Sequence, residues 1–121
     1  MKIHERTLND VTVIDLEGQF VLGGEGQFRG LVTTNIEAGG RKLIINMAKV
    51  NYMDSSGLGE LISTFTQMRK VSGDMKLLHL NKRLNDLLVI TKLITVFETF
   101  DSEAAAISSF IPRQERALPN N

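Results

Sequence analysis

Lys42-Leu43-Ile44-Ile45-Asn46-Met47, followed shortly by Asn51-Tyr52-Met53-Asp54-Ser55-Ser56-Gly57-Leu58-Gly59-Glu60, is the stretch that decides the fold. The first run is short and almost continuously apolar, as expected of a strand covered on both faces. The second is an acidic, hydroxyl-bearing turn. Directly after it, Leu58, Leu61, Ile62, Phe65 and Met68 recur at i, i+3, i+4, i+7 and i+10, the spacing of one helix face, and Ser72-Gly73 stops the pattern. A buried strand therefore runs through a short link and a turn into an amphipathic helix. Ser55 and Ser56 stand at the start of that helix, where backbone N–H groups lack intrahelical partners and the helix dipole is positive. Such a position suits an anion or a covalently attached phosphate.

Upstream, Ile3 to Thr7 and Val11 to Glu17 are strand-like runs separated by Leu8-Asn9-Asp10, and the Asn-Asp pair predicts an antiparallel hairpin. Gly18 to Gly26, with glycines at 18, 23, 24 and 26, reads as a flexible connection. Phe28, Leu31, Val32 and Ile36 predict a helix that Gly39-Gly40 ends. Downstream, Met75 to Leu80 is a strand pattern. Asn81 then reads as the N-cap of a helix carrying Leu84, Leu87 and Leu88, with Leu93 a further candidate. Ile94 to Phe97 is expected as a last short strand. Asp101 or Ser102 would cap a final helix through Ala104, Ile107 and Ile111, terminated by Pro112.

The order β-β-α-β-α-β-α-β-α predicts an α/β fold. It is a single domain over residues 1–112, with a mixed, mostly parallel sheet opened by an antiparallel hairpin and packed with about four helices. Residues 113–121 have little to bury and read as a flexible tail. In such sheets ligands and partners gather at the C-terminal ends of the strands, and the serine turn lies at one of them.

The bulk numbers exclude several classes. At 121 residues, 42% hydrophobic and 23% charged, the composition is that of an ordinary soluble domain. Lys+Arg and Asp+Glu are 14 each, so the net charge is zero, and no footprint for nucleic acid or an anionic membrane exists. Near-neutrality leaves little repulsion between copies, and the oligomeric state stays open. There are no cysteines, which removes disulfides and thiolate chemistry. The N-terminus has no apolar signal core, and no window approaches the roughly 18 apolar residues of a membrane span. A stand-alone cytoplasmic protein without membrane insertion is the simplest reading.

Several residues admit two readings. Asp54, Ser55 and Ser56 are good helix caps in their own right. Gly57 and Gly59, however, each cost roughly 1 kcal/mol against Ala in a helix, and tolerating both suggests a close approach by another group. Lys82 and Arg83 open the helix after the next strand. They are either solvated or, because neighbouring parallel strands bring their C-terminal ends together, close enough to meet a phosphate or an acidic partner. His4 and His79 lie on separate strands without metal-pair spacing. Met47, Met53, Met68 and Met75 read as core filler. Gly23-Gly24-Glu25-Gly26 lacks the Lys-Ser/Thr of a P-loop, and no cofactor or metal is expected.

With the turn placed between strand and helix, Tyr52-Met53-Asp54-Ser55-Ser56-Gly57-Leu58-Gly59 resembles the signature of the STAS domain, especially of stand-alone bacterial anti-sigma factor antagonists. The hairpin, the strands Leu43 to Met47 and Lys76 to Leu80, and the β/α order extend the likeness over residues 1–111. The resemblance implies a protein that, when unphosphorylated, binds an anti-sigma factor that is also a serine kinase of the GHKL ATPase type, so that a sigma factor is released. Phosphorylation of the turn ends binding, and a PP2C-type phosphatase restores it. On this chain the phosphoacceptor would be Ser56, with Ser55 the runner-up. Asp54 would orient the hydroxyl or shape the turn, and Gly57 and Gly59 would admit another backbone. Ser55, Leu58, Lys82 and Arg83 complete the expected partner-binding set.

One departure falls on the partner-facing loop. Many members carry an acidic residue soon after the glycine that ends the second strand, whereas here Gly18-Gln19-Phe20 continues into Val21 and the next acid is Glu25. The resemblance also covers a different class, since STAS domains serve as scaffolds of sensory assemblies and as accessory subunits of membrane transport systems. An enzyme is disfavoured. The turn is not Gly-x-Ser-x-Gly, and neither histidine is placed for a triad.

A phosphate adds about −1.5 to −2 charges. At an exposed helix N-terminus it is favourable by ~0.3–1 kcal/mol, so the helix should survive phosphorylation and the switch must act on what docks there. Asp54 and Glu60 are expected to make the turn acidic, which the phosphate would sharpen. A loss of ~3–4 kcal/mol in the interface weakens binding by roughly a few hundred-fold.

Overall fold

The computed structural model describes residues 1–21 and 26–111. Five strands form one sheet in the order β1-β2-β3-β4-β5: Lys2–Leu8, Val11–Phe20, Lys42–Met53, Asp74–Leu78 and Thr99–Phe100. β1 pairs antiparallel with β2, and the remaining pairings are parallel. Asn9 takes the hairpin turn with φ 58, the left-handed geometry that Asn accepts at little cost. The helices are α1 (Gln27–Glu37), α2 (Ser55–Lys70), α3 (Lys82–Ile90) and α4 (Glu103–Ser108). The predicted mixed sheet, opening hairpin and four helices are all present.

Two apolar layers fix this arrangement. On one face Ile14, Leu16, Leu43, Ile45, Met47 and Leu77 meet Phe28 and Val32 of α1, Leu61 and Met68 of α2, and Leu84 and Leu88 of α3. On the other, Val11, Val13, Ile44 and Leu78 meet Ala106 of α4. Strand β3 lies mid-sheet between these layers, which is why Leu43-Ile44-Ile45 is an unbroken apolar run. The four methionines Met47, Met53, Met68 and Met75 are all core residues.

Several boundaries depart from the sequence-based expectation. β3 continues past Met47 to Met53. Its pairing with β2 shifts register twice, between Asp15 and Glu17 and between Gly18 and Gln19. Each shift places an extra residue on β3 and resets the alternation, so Met47, Val50 and Met53 all face the core with two exposed residues between them. Gly18–Phe20 belong to β2 and not to the glycine-rich connection. Gly18 sits at φ 112, a backbone conformation that costs a glycine little, beside the second shift. β4 ends at Leu78, because His79 turns into the left-handed region at φ 60.

The last strand is not Ile94 to Phe97. Leu93–Thr95 form a 3₁₀ turn, Phe97 packs into the core against the Phe65 ring at 4.9 Å, and the strand is the two-residue β5. Leu93 therefore falls outside α3. Between the two proposed caps of α4, Ser102 is the one used, its hydroxyl accepting from the Ala105 N–H at 3.2 Å. α4 stops at Ser108, short of Ile111. Glu25, Pro112 and the tail 113–121 lie outside the described residues.

Polar groups fasten the edges of the sheet. Arg6 of β1 donates to Asp15 of β2 (Nε, 2.7 Å; Nη2, 3.0 Å) and to Glu103 of α4 (Nη2, 2.6 Å). Asn46 of β3 adds a third donor to Asp15 at 2.8 Å. Lys76 is buried on the α4 side of β4. It donates to the Ser109 hydroxyl at 2.7 Å, pairs with Glu98 at 3.0 Å and stands 4.3 Å from the Phe110 ring centroid.

Candidate functional site: the serine turn at the end of the central strand

β3 delivers the chain into the turn, and Asp54 caps the helix that follows. Its backbone is extended (φ −97, ψ −177), its Oδ1 accepts from the Gly57 N–H at 2.8 Å, and its carbonyl accepts from Leu58 N–H at 3.0 Å. The N-cap role therefore belongs to Asp54 and not to a serine. Ser55 and Ser56 are the first two helical residues, both exposed. Neither their hydroxyls nor their N–H groups are hydrogen-bonded among the described residues. Two free donors, two free hydroxyls and a positive helix end thus share one solvent-facing patch.

The two glycines differ. Gly57 is buried against the end of β2, where a Cβ would overlap the Phe20 carbonyl oxygen and come within 2.8 Å of the Phe20 carbonyl carbon. Here the close approach is made from within the chain. Gly59 is exposed, with nothing within 4 Å of where a Cβ would stand. The backbone of α2 is consequently bare at Gly59, one turn beyond Ser55 and Ser56, for no reason internal to the fold. Leu58 is half-buried between them.

Glu60 does not acidify the turn as the sequence suggested. It is 3% exposed, on the core-facing side of α2 with Leu61 and Thr64, and neither carboxylate oxygen has a hydrogen-bond partner among the described residues.

Lys82 and Arg83 open α3 beside the last residues of β3, where they share a groove with Tyr52 and Met53. Asn81 ties them there. Its Oδ1 accepts from Leu84 N–H at 2.8 Å to cap α3, while its Nδ2 donates to the Val50 carbonyl of β3 at 3.0 Å. Lys82, Arg83 and Asp86 line a groove of about 570 Å³ with Tyr52, Leu87 and Ile90. Lys82 pairs with Asp86 at 2.9 Å, one helical turn on. Sequence reasoning missed Tyr52, Leu87 and Ile90 as a surface. The available signal was that Val89-Ile90 adds apolar residues after the Leu84, Leu87, Leu88 stripe is already complete. His4 lies on β1, whereas His79 is not on a strand but just past the end of β4. Among the described residues no cluster of metal-binding side chains occurs, and no helix is long and apolar enough to cross a membrane.

The sequence matches the STAS domain over residues 2–106, and the chain belongs to that family. BtrV of Bordetella bronchiseptica, named as an anti-sigma factor antagonist, is 22% identical over 119 residues, spanning 98% of this chain and 99% of its own. The anti-sigma-B factor antagonist of Bacillus subtilis is 41% identical over 59 residues, 49% of this chain and 54% of that protein. The structure of the Bacillus cell fate determinant SpoIIAA in its phosphorylated form superposes with a TM-score of 0.73 at 22% identity, over 91% of this chain and all of that one. The relatives' designation is regulatory, not catalytic, and the fold is the one they share.

Proposed function

We propose that this chain is an anti-sigma factor antagonist. In its unphosphorylated form it binds an anti-sigma factor that is also a serine kinase of the GHKL type, freeing a sigma factor. Phosphorylation of Ser56 ends binding, and a PP2C-type phosphatase reverses it. Its role is that of a cytoplasmic binding module and not an enzyme. The observation that carries this reading is the state of Ser56: exposed, unbonded, and at the second position of a helix already capped by Asp54. The hydroxyl bonds to nothing among the described residues, so modification there acts on the surface. The relatives' names and the phosphorylated form of SpoIIAA support the same reading.

The test is to incubate the chain with candidate GHKL-type serine kinases and ATP and map the modified residue by mass spectrometry. Phosphate on Ser56, and a Ser56→Asp variant that no longer captures that kinase, is the expected result. A kinase that binds the wild-type chain and Ser56→Asp equally would overturn it.

A further inference from the structure

Among the described residues, six large apolar side chains are left exposed, and four of them, Tyr52, Val89, Ile90 and Val96, lie on or beside α3. Ile90 is 78% exposed. Tyr52, Leu87 and Ile90 form the apolar wall of the groove, and Tyr52 and Met53, which line it, are the last two residues of β3 before Asp54. A single exposed apolar residue needs no explanation, but a contiguous apolar wall beside a candidate recognition turn does.

The charges of the groove are unequal. Lys82 is answered by Asp86, whereas Arg83 has no ion pair or hydrogen bond among the described residues. It stands in the first turn of α3, where the dipole already supplies positive potential and a cation is unfavourable to its own helix. Nothing among the described residues offsets that cost, and the group that would complement it is an anion from outside.

We propose that the groove receives an amphipathic, acidic segment of the protein that recognises the serine turn, its apolar side chains on Tyr52, Leu87 and Ile90 and a carboxylate on Arg83. This rests on the reading of the chain as an antagonist and names the chemistry of its partner. It also gives phosphorylation something to repel. A partner face that carries a carboxylate beside the turn meets the phosphate of Ser56 as like charge, and bulk is joined by repulsion.

The experiment uses the full chain and the kinase identified by Ser56 phosphorylation, with affinity measured by calorimetry for wild type, Ile90→Ser, Arg83→Glu and Arg83→Lys. Both sites are exposed, so circular dichroism should show all four folded alike. Ile90→Ser and Arg83→Glu are expected to weaken binding at least tenfold, Arg83→Lys by less than Arg83→Glu, and the Arg83 effect should shrink as salt is raised. Binding within twofold of wild type for Ile90→Ser and Arg83→Glu, while Ser56→Asp still abolishes it, overturns the groove and leaves the antagonist reading standing. Tighter binding by Arg83→Glu overturns the acidic partner. A wild-type chain that sediments as a dimer, made monomeric by Ile90→Ser, assigns the groove to a second copy and overturns the proposal. A wild-type chain that no such kinase binds overturns both.

Discussion

The carbonyl of Phe20, the last residue of β2, occupies the space where a side chain on Gly57 would stand, and the same oxygen accepts from the Asp54 N–H at 3.3 Å. The end of one strand and the start of α2 are therefore held backbone to backbone beneath the serine turn. A methyl group at Gly57 would press on rigid backbone, not on the free end of a side chain. Gly57→Ala is expected to destabilise the fold by about 1–3 kcal/mol, as overpacking does. In urea the midpoint should fall with the slope unchanged. A variant as stable as wild type would mean that β2 and α2 are not locked in this way.

Gly59 should behave in the opposite sense. Nothing adjoins it, and glycine in a helix interior costs about 1 kcal/mol relative to alanine. Gly59→Ala is expected to raise stability by up to about 1 kcal/mol and yet weaken capture of the kinase. Such a split assigns the glycine to the interface. If the kinase bound Gly59→Ala as tightly as wild type, the bare backbone would have no part in recognition.

These two glycines also mark what the sequence could and could not convey. Both stand in the first turns of an amphipathic pattern and look alike as letters. Which one faces its own chain depends on Phe20, which sequence pattern alone places in a loop because Gly18 interrupts the strand run. The long-period elements were legible: α2 through Leu58 to Met68, the doubly buried start of β3, and the Asn81 cap. The register shifts of β2 against β3 were not, because a bulge erases the period of two on which strand recognition depends. Short elements failed for a related reason. Ile94 to Phe97 is apolar enough for a strand, but Phe97 is buried by Phe65 across the chain, and local pattern carries no record of that. Of the site, the serines, Asp54, Lys82 and Arg83 were readable from spacing, topology and resemblance. The apolar wall was not, since Tyr52 and Ile90 come together only through the packing of α3 on β3.

Phosphate at Ser56 should leave the helix beneath it intact. A negative charge at the start of a helix is favourable by about 0.3–1 kcal/mol at an exposed position, and neither the hydroxyl nor the N–H of Ser56 has a hydrogen bond among the described residues to lose. Ser56→Asp is accordingly expected to keep wild-type helix content by far-ultraviolet circular dichroism, with equal or slightly higher stability, while kinase binding falls by about two orders of magnitude, or ~3 kcal/mol. Loss of helix signal in parallel with loss of binding would point to unfolding of α2 instead of a surface switch.

Asp15 gives the fold a defined acid response. Burial pushes its carboxyl up, but hydrogen bonds from Arg6 and Asn46 and the charge of Arg6 outweigh burial and hold it below the usual carboxylate range. A folded value below the unfolded one, about 3.9, means that the unfolded chain binds the proton more readily. The stabilisation is thus complete above about pH 5 and drains away as pH falls through the lowered folded value. Asp15→Asn is expected to cost about 1–2 kcal/mol near neutrality, allowing for partial exposure. The gap between wild type and variant should close as the solution is acidified below about pH 4. Unfolding curves in urea across that range test it, and a gap that stays constant or widens with acid would contradict the assignment.

Glu60 is the residue whose removal should help the fold. Its carboxyl is almost wholly buried on α2 beside Leu61 and Thr64, and neither oxygen is hydrogen-bonded among the described residues. Burying a polar group without a compensating bond costs roughly 1–3 kcal/mol by the standard of protein substitutions. Methionine has a similar length, no hydrogen bonds to satisfy and high helix propensity, so it can fill the same space without that cost. Glu60→Met is expected to raise stability by about 1–3 kcal/mol, seen as a higher urea midpoint. Because the side chain faces the core and not the turn, kinase binding should be unchanged. A less stable Glu60→Met would mean that the carboxyl is satisfied in solution. A more stable variant that no longer bound the kinase would give Glu60 a part in recognition through the segment it underlies.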